Sequence, residues 1–140
     1  MKKILSAIMV IFSVMVLSSC AKSYDEQQTH ANVQAKILYT AVKSAINEYP
    51  DIKITEKYIY GSANGEVKVC FDGKKVINLS DWLGKDFSGY YYIRLDPENG
   101  KVKYVLWSDY KIDMDYYEYV DYTDRAYFDG TEHAIGYWNY

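Results

Sequence analysis

The spacing of polar and apolar positions changes three times along the chain. Lys2 and Lys3 precede an apolar run from Ile4 to Leu17, interrupted only by Ser6 and Ser13. As a helix, fourteen residues at about 1.5 Å each reach about 21 Å, short of the ~30 Å hydrocarbon slab. The run therefore reads as the core of a cleaved signal peptide over residues 1–19 rather than as a spanning helix. From Ser23 the period becomes helical. Ser23-Tyr24-Asp25-Glu26 has the form of a capping box, in which serine accepts from the third backbone N–H and glutamate reaches back to the cap. Ala31, Gln34, Ala35, Leu38, Ala41, Val42, Ala45, Ile46 and Tyr49 recur at spacings of three and four, which predicts one amphipathic helix over 23–49, ended by Pro50. At about 40 Å it is long for the domain, so its first two turns are expected to stand clear of the core.

Beyond Pro50 the period falls to two. A short strand is predicted within Ile52–Tyr60, a turn at Gly61-Ser62-Ala63-Asn64-Gly65, and a strand over Val67–Phe71 that returns through Asp72-Gly73-Lys74-Lys75 into Val76–Leu79. Ser80-Asp81-Trp82-Leu83 suggests one capped helical turn closed by Gly84. The plainest hairpin joins Tyr90–Leu95 to Lys101–Ser108 through Asp96-Pro97-Glu98-Asn99-Gly100. Alternation puts Tyr91, Ile93 and Leu95 on the helix side, with Val102, Tyr104 and Leu106 as expected cross-strand companions. The opposite face then carries Tyr90, Tyr92, Arg94, Lys103, Val105 and Trp107. The fold expected is α+β: a long N-terminal helix packed on an antiparallel meander sheet of about four or more strands. It forms a single globular domain over 25–140, after a tether at 20–24.

Composition changes this picture at three points. With 140 residues, 49% hydrophobic and 25% charged, the chain holds one core and is neither disordered nor polytopic. Sixteen basic against nineteen acidic residues give a net charge of −3, which argues against a nucleic-acid partner. Loss of residues 1–19, with Lys2 and Lys3, would take the formal charge from −3 to −5. Seventeen tyrosines stand against four phenylalanines and three tryptophans.

The residues Leu17-Ser18-Ser19-Cys20 resemble the lipobox of bacterial lipoproteins: a large aliphatic residue, two small ones, then cysteine, behind a basic and an apolar segment. The resemblance implies that Cys20 becomes the first residue of the mature chain and carries diacylglyceryl on its thiol. Two or three acyl chains anchor a protein stably where one does so only marginally. The protein is then expected at the cell membrane, lipid-anchored and facing outside the cytoplasm. Of the two cysteines only Cys70 would remain, so no intrachain disulfide is expected. Cys70 lies in the alternating run Glu66–Phe71 and reads as a small buried side chain.

A second resemblance covers roughly residues 25–110. Ala31-Asn32-Val33-Gln34-Ala35-Lys36-Ile37-Leu38-Tyr39-Thr40-Ala41-Val42, Gly89-Tyr90-Tyr91-Tyr92-Ile93-Arg94-Leu95 and Lys103-Tyr104-Val105-Leu106-Trp107-Ser108 resemble the head domains of pilin-like proteins of clostridial bacteria. It implies a helix whose C-terminal half packs on a four-stranded antiparallel sheet. The glycine-rich prepilin leader and its Phe/Met-Glu start are absent, so the resemblance concerns the head and not a shared filament stalk.

The last third is tyrosine-rich and acidic. Residues 105–140 hold eight tyrosines and eight acids against two bases. One or two more strands would account for them, the rings covering the sheet with their hydroxyls in water. They would also make a recognition surface, because tyrosine gives rigid contact area at low entropic cost. Tyr116, Tyr117, Tyr119, Tyr122 and Trp107 are the candidate binding residues, and aromatic faces suit the C–H faces of sugars. Asp109, Asp113, Asp115 and Glu118, or Asp121, Asp124, Asp129 and Glu132, do not match the spacing of a calcium loop, so no metal is expected. No nucleophile, metalloprotease, P-loop or dinucleotide motif occurs, and Glu132-His133 reads as a surface loop. The sequence thus points to non-enzymatic binding without a cofactor. Beyond the lipid bilayer, its partner would be an envelope or pilus protein or an extracellular glycan; a small envelope enzyme or inhibitor domain is the remaining class.

Overall fold

The helical stripe folds as its spacing predicts. In a computed structural model that describes residues 24–112, 126–128 and 134–139, helix α1 spans Tyr24–Glu48. Ala31, Ala35, Leu38, Val42 and Ala45 along one face are almost fully buried. The alanines bring the helix close to the sheet, while Leu38 and Val42 each contribute roughly 2 kcal/mol by burial. The second turn does not stand clear of the core as expected. Gln28 is buried, and its Nε2 donates 2.7 Å to the Ile135 carbonyl. A polar side chain there satisfies a strand backbone group, a role that hydrophobic spacing does not reveal.

After the helix come β1 (Tyr58–Asn64), β2 (Lys68–Cys70), β3 (Val76–Asn78), the single-turn α2 (Ser80–Leu83), β4 (Ser88–Asp96), β5 (Lys101–Ser108), β6 (Ala126–Phe128) and β7 (Ala134–Asn139). The main sheet is antiparallel in the order β1-β4-β5-β7-β6, and β2 and β3 form a separate ribbon. It departs from a plain meander at both ends. The β2-β3-α2 excursion separates β1 from β4, and the chain reaches the outer position of β6 before β7 returns against β5. Helix α1 lies across β5 and β7.

Three local expectations are corrected. Gly61–Asn64, expected to turn, continues β1 and pairs in unbroken register with Ser88–Tyr91; only Gly65 bends, at φ +77°. The small residues answer to packing, since a Cβ on Gly61 would lie 2.8 Å from the Tyr91 hydroxyl. The β5 faces are partly exchanged. Tyr91, Ile93 and Leu95 sit opposite Trp107, Val105 and Val102, and the register shifts where Arg94↔Tyr104 gives way to Leu95↔Val102. The extra residue, Lys103, forms a bulge and reverses the alternation. Val105 and Trp107 therefore face the helix, while Tyr104 and Leu106 face away. At α2, Leu79 rather than a side-chain cap precedes the helix, and the Gly84 N–H closes it on the Ser80 carbonyl.

Both predicted hairpin turns are held by an aspartate. Asp72 Oδ1 accepts from the N–H groups of Lys74 (2.9 Å) and Lys75 (2.8 Å). Asp96 accepts from the Asn99 side chain at 2.8 Å and more weakly from the N–H groups of Glu98 and Asn99. The Lys75 amide chiefly holds the Asp72 carboxyl below its ordinary value, as the Asn99 amide does for Asp96. A depressed folded-state value stabilises above the unfolded value of ~3.9 and is lost as pH falls through the folded value. The stability advantage of the native protein over an Asp72→Asn/Asp96→Asn variant is therefore expected to shrink as urea midpoints are measured from about pH 5 down to pH 2. A gap that stays constant would rule out this charge contribution.

Candidate functional site

Alternation along four strands assembles a band of tyrosines on the sheet face opposite α1. Tyr58 and Tyr60 lie two residues apart on β1 and share this face. Tyr60 pairs with Tyr92 across β4, and Tyr58 sits diagonally beside it. Ring centroids are 6.1 Å apart for Tyr58–Tyr60, Tyr58–Tyr92 and Tyr92–Tyr104, and 5.5 Å for Tyr104–Tyr137, at interplanar angles of 17–35°. Offset rings at such separations add to the value of their buried area.

The ladder is graded in exposure. Tyr92 and Tyr137 are almost fully buried, together with Leu106, Ile112 and Ile135. At the β1 edge Tyr58 is 40% and Tyr60 57% exposed. Burial raises the Tyr104 hydroxyl well above the usual tyrosine value, with a smaller contribution from neighbouring Tyr92; it also raises Tyr91. Tyr104, at the middle of the band, is thus neutral throughout the physiological range.

Beside the exposed end, Tyr60, Gly61, Ser62, Tyr90, Tyr91, Lys111 and Ile112 line a cleft of about 220 Å³. It offers tyrosine ring faces, the Ser62 hydroxyl and one cation, Lys111. A larger hollow of about 450 Å³ lies between α1 and the β4–β5 turn, with Lys43, Asn47 and Lys101 on its walls but a single ring, Tyr39. The first carries the better recognition chemistry, because several aromatic faces converge on it.

The residues singled out from sequence fare unequally. Tyr116, Tyr117, Tyr119 and Tyr122 lie outside the described residues, as do Cys20 and His133. Trp107 is a correction: it is 2% exposed on the helix side, its Nε1–H donates 2.8 Å to the Ser88 carbonyl, and its ring meets His30 edge-on at 5.4 Å. The Lys103 bulge puts it there, so Trp107 is a core residue and not part of an open binding face. Cys70 is half-buried, with Sγ 3.8 Å from Asp72 Oδ1.

Tyr58 and Tyr60 were not anticipated as site residues. Their i, i+2 spacing was a usable signal, but only pairing with β4 joins them to a ladder. Among the described residues no cluster of three metal-ligating side chains occurs, and no helix is long and apolar enough to cross a membrane. Compared with known proteins, the chain matches no family model, no characterised protein and no solved structure.

Proposed function

We propose that this chain is a lipid-anchored, non-enzymatic binding protein of the cell envelope, held at the membrane through acylated Cys20 and facing outside the cytoplasm. The observation that carries the binding role is the stacked Tyr58–Tyr60 pair, half open to solvent at the sheet edge, next to a cleft that Tyr90 and Lys111 help to line. Exposed tyrosines anchored by stacking on a buried ladder are pre-organised and lose little freedom on binding. A single helix over an antiparallel sheet also supports a pilin-like head, here on a lipid anchor in place of a filament stalk. An envelope or pilus protein is then the first partner to test.

The flat ring faces beside Ser62 and Lys111 favour a second reading, an extracellular glycan, since aromatic rings pack on sugar C–H faces while hydroxyl and amine groups bond to sugar hydroxyls. Capture from native envelope and a glycan array, each run with wild type and Tyr58→Ala/Tyr60→Ala, separate the two. The double variant is expected to lose at least tenfold in affinity, about 1.4 kcal/mol or more. Its folding stability is expected to fall by only about 1 kcal/mol, because both rings are substantially exposed. Undiminished binding by a folded double variant would remove this surface from the account.

A further inference from the structure

The face of α1 turned away from the sheet carries aliphatic side chains that the core leaves exposed. Val33 is 48% and Ile37 37% exposed, one turn apart at the centre of that face. Trp82 of α2 borders Ile37 along a shallow groove also lined by Lys36, Thr40, Ala41 and Ser44. On the other flank Lys36 Nζ stands 4.7 Å over the half-buried Trp138 ring. From Gln27 to Asn47 the helix has no aspartate or glutamate; its lysines are Lys36 and Lys43, while Asp25, Glu26 and Glu48 lie at its ends and Asp81 precedes Trp82.

We infer that this face of α1, centred on Val33 and Ile37 and flanked by Lys36, Lys43 and Trp82, rests on the anionic phospholipid surface to which Cys20 is tethered. The inference rests on the anchoring reading. Four residue steps separate Cys20 from Tyr24, and a fully extended chain covers at most about 3.5 Å per step, so the helix starts within about 14 Å of the lipid. Val33 follows nine residues later, about 14 Å along the helix. So short a leash lets the N-terminal half of α1 lie against the bilayer. The side of α1 free to meet it is the one with exposed aliphatic residues, lysines and a tryptophan, a combination suited to a headgroup boundary. The tyrosine ladder, on the far side of the sheet, would then point outward to a ligand.

The test uses the natively acylated full-length protein in vesicles of phosphatidylethanolamine and phosphatidylglycerol. In a Cys70→Ser background an environment-sensitive fluorophore is placed at Val33→Cys, at Ile37→Cys or at Val76→Cys, the last being a 62% exposed position on β3. Labels at 33 and 37 are expected to shift blue and be quenched by nitroxide-bearing lipids, with the label at 76 unchanged. Lys36→Glu/Lys43→Glu is expected to return the label at 37 toward its emission in water while the protein still floats with the vesicles. If the protein floats but labels at 33 and 37 remain water-like, the inference is overturned and anchoring stands. Labels that shift blue without lipid quenching would mean that protein covers the face, which also overturns it. A protein that does not float overturns both the anchoring and this orientation.

Discussion

Replacing Gly136 with alanine is expected to destabilise the protein by about 3 kcal/mol, at the upper end of what overpacking costs. A Cβ at this position of β7 would run into the main chain of α1 at the Ala31 carbonyl and the Asn32 nitrogen. Backbone cannot swing aside as the end of a flexible side chain can. The crossing is also pinned on both sides of the glycine. Gln28 Nε2 donates to the Ile135 carbonyl at 2.7 Å, and the Tyr137 N–H donates to Asn32 Oδ1 at 3.2 Å. Gln28 Nε2 also reaches Asn32 Oδ1 at 3.1 Å, linking the two helix side chains. Separating helix and strand enough for a methyl group would stretch these bonds and expose the buried Gln28 amide. Gly100→Ala is the control: its Cβ would meet nothing, and only a φ of +63° opposes it, a cost of about 1 kcal/mol. Urea unfolding followed by far-ultraviolet circular dichroism should show the larger loss at Gly136; equal losses would mean that α1 does not cross β7 this closely.

Trp107→Ala is expected to cost about 4 kcal/mol, in the range of large-to-small aromatic changes in a core. The ring is among the largest fully buried side chains, and its indole N–H satisfies the Ser88 carbonyl. Gly89 makes room for it: at φ +103°, a Cβ there would sit 2.7 Å from three indole atoms. Trp107→Phe should retain much of the packing but remove the donor to Ser88, for a smaller loss of about 2 kcal/mol. Any variant at this position that still folds should bind as the wild type does, because Trp107 does not reach the tyrosine ladder. Lost binding with unchanged unfolding midpoints would contradict its placement in the core.

How much could be read beforehand followed the range of the interactions involved. Helix α1 and the β4–β5 hairpin were legible because a long three-to-four periodicity and the run Asp96-Pro97-Glu98-Asn99-Gly100 act locally. Gly61–Asn64 misled because small residues serve tight turns and crowded strands alike; the Tyr91 hydroxyl that demands Gly61 lies thirty positions away in sequence. The Lys103 bulge bears no glycine or proline to announce it, yet it moved Trp107 and Val105 to the core and Tyr104 and Leu106 to the outer face. The candidate site was visible only in outline. Abundant tyrosine suggested an aromatic surface, but the exposed pair emerged from the pairing of β1 with β4, a long-range contact. The expected tyrosines at 116, 117, 119 and 122 fall outside the described residues.

The mass of the N-terminal peptide, released from protein extracted from its native membrane, tests the account at its root. The prediction is a peptide that begins at Cys20 and carries a diacylglyceryl group on the thiol, with or without a further acyl chain on the amine. A peptide beginning at Met1, or a mature terminus with an unmodified Cys20 thiol, would contradict it.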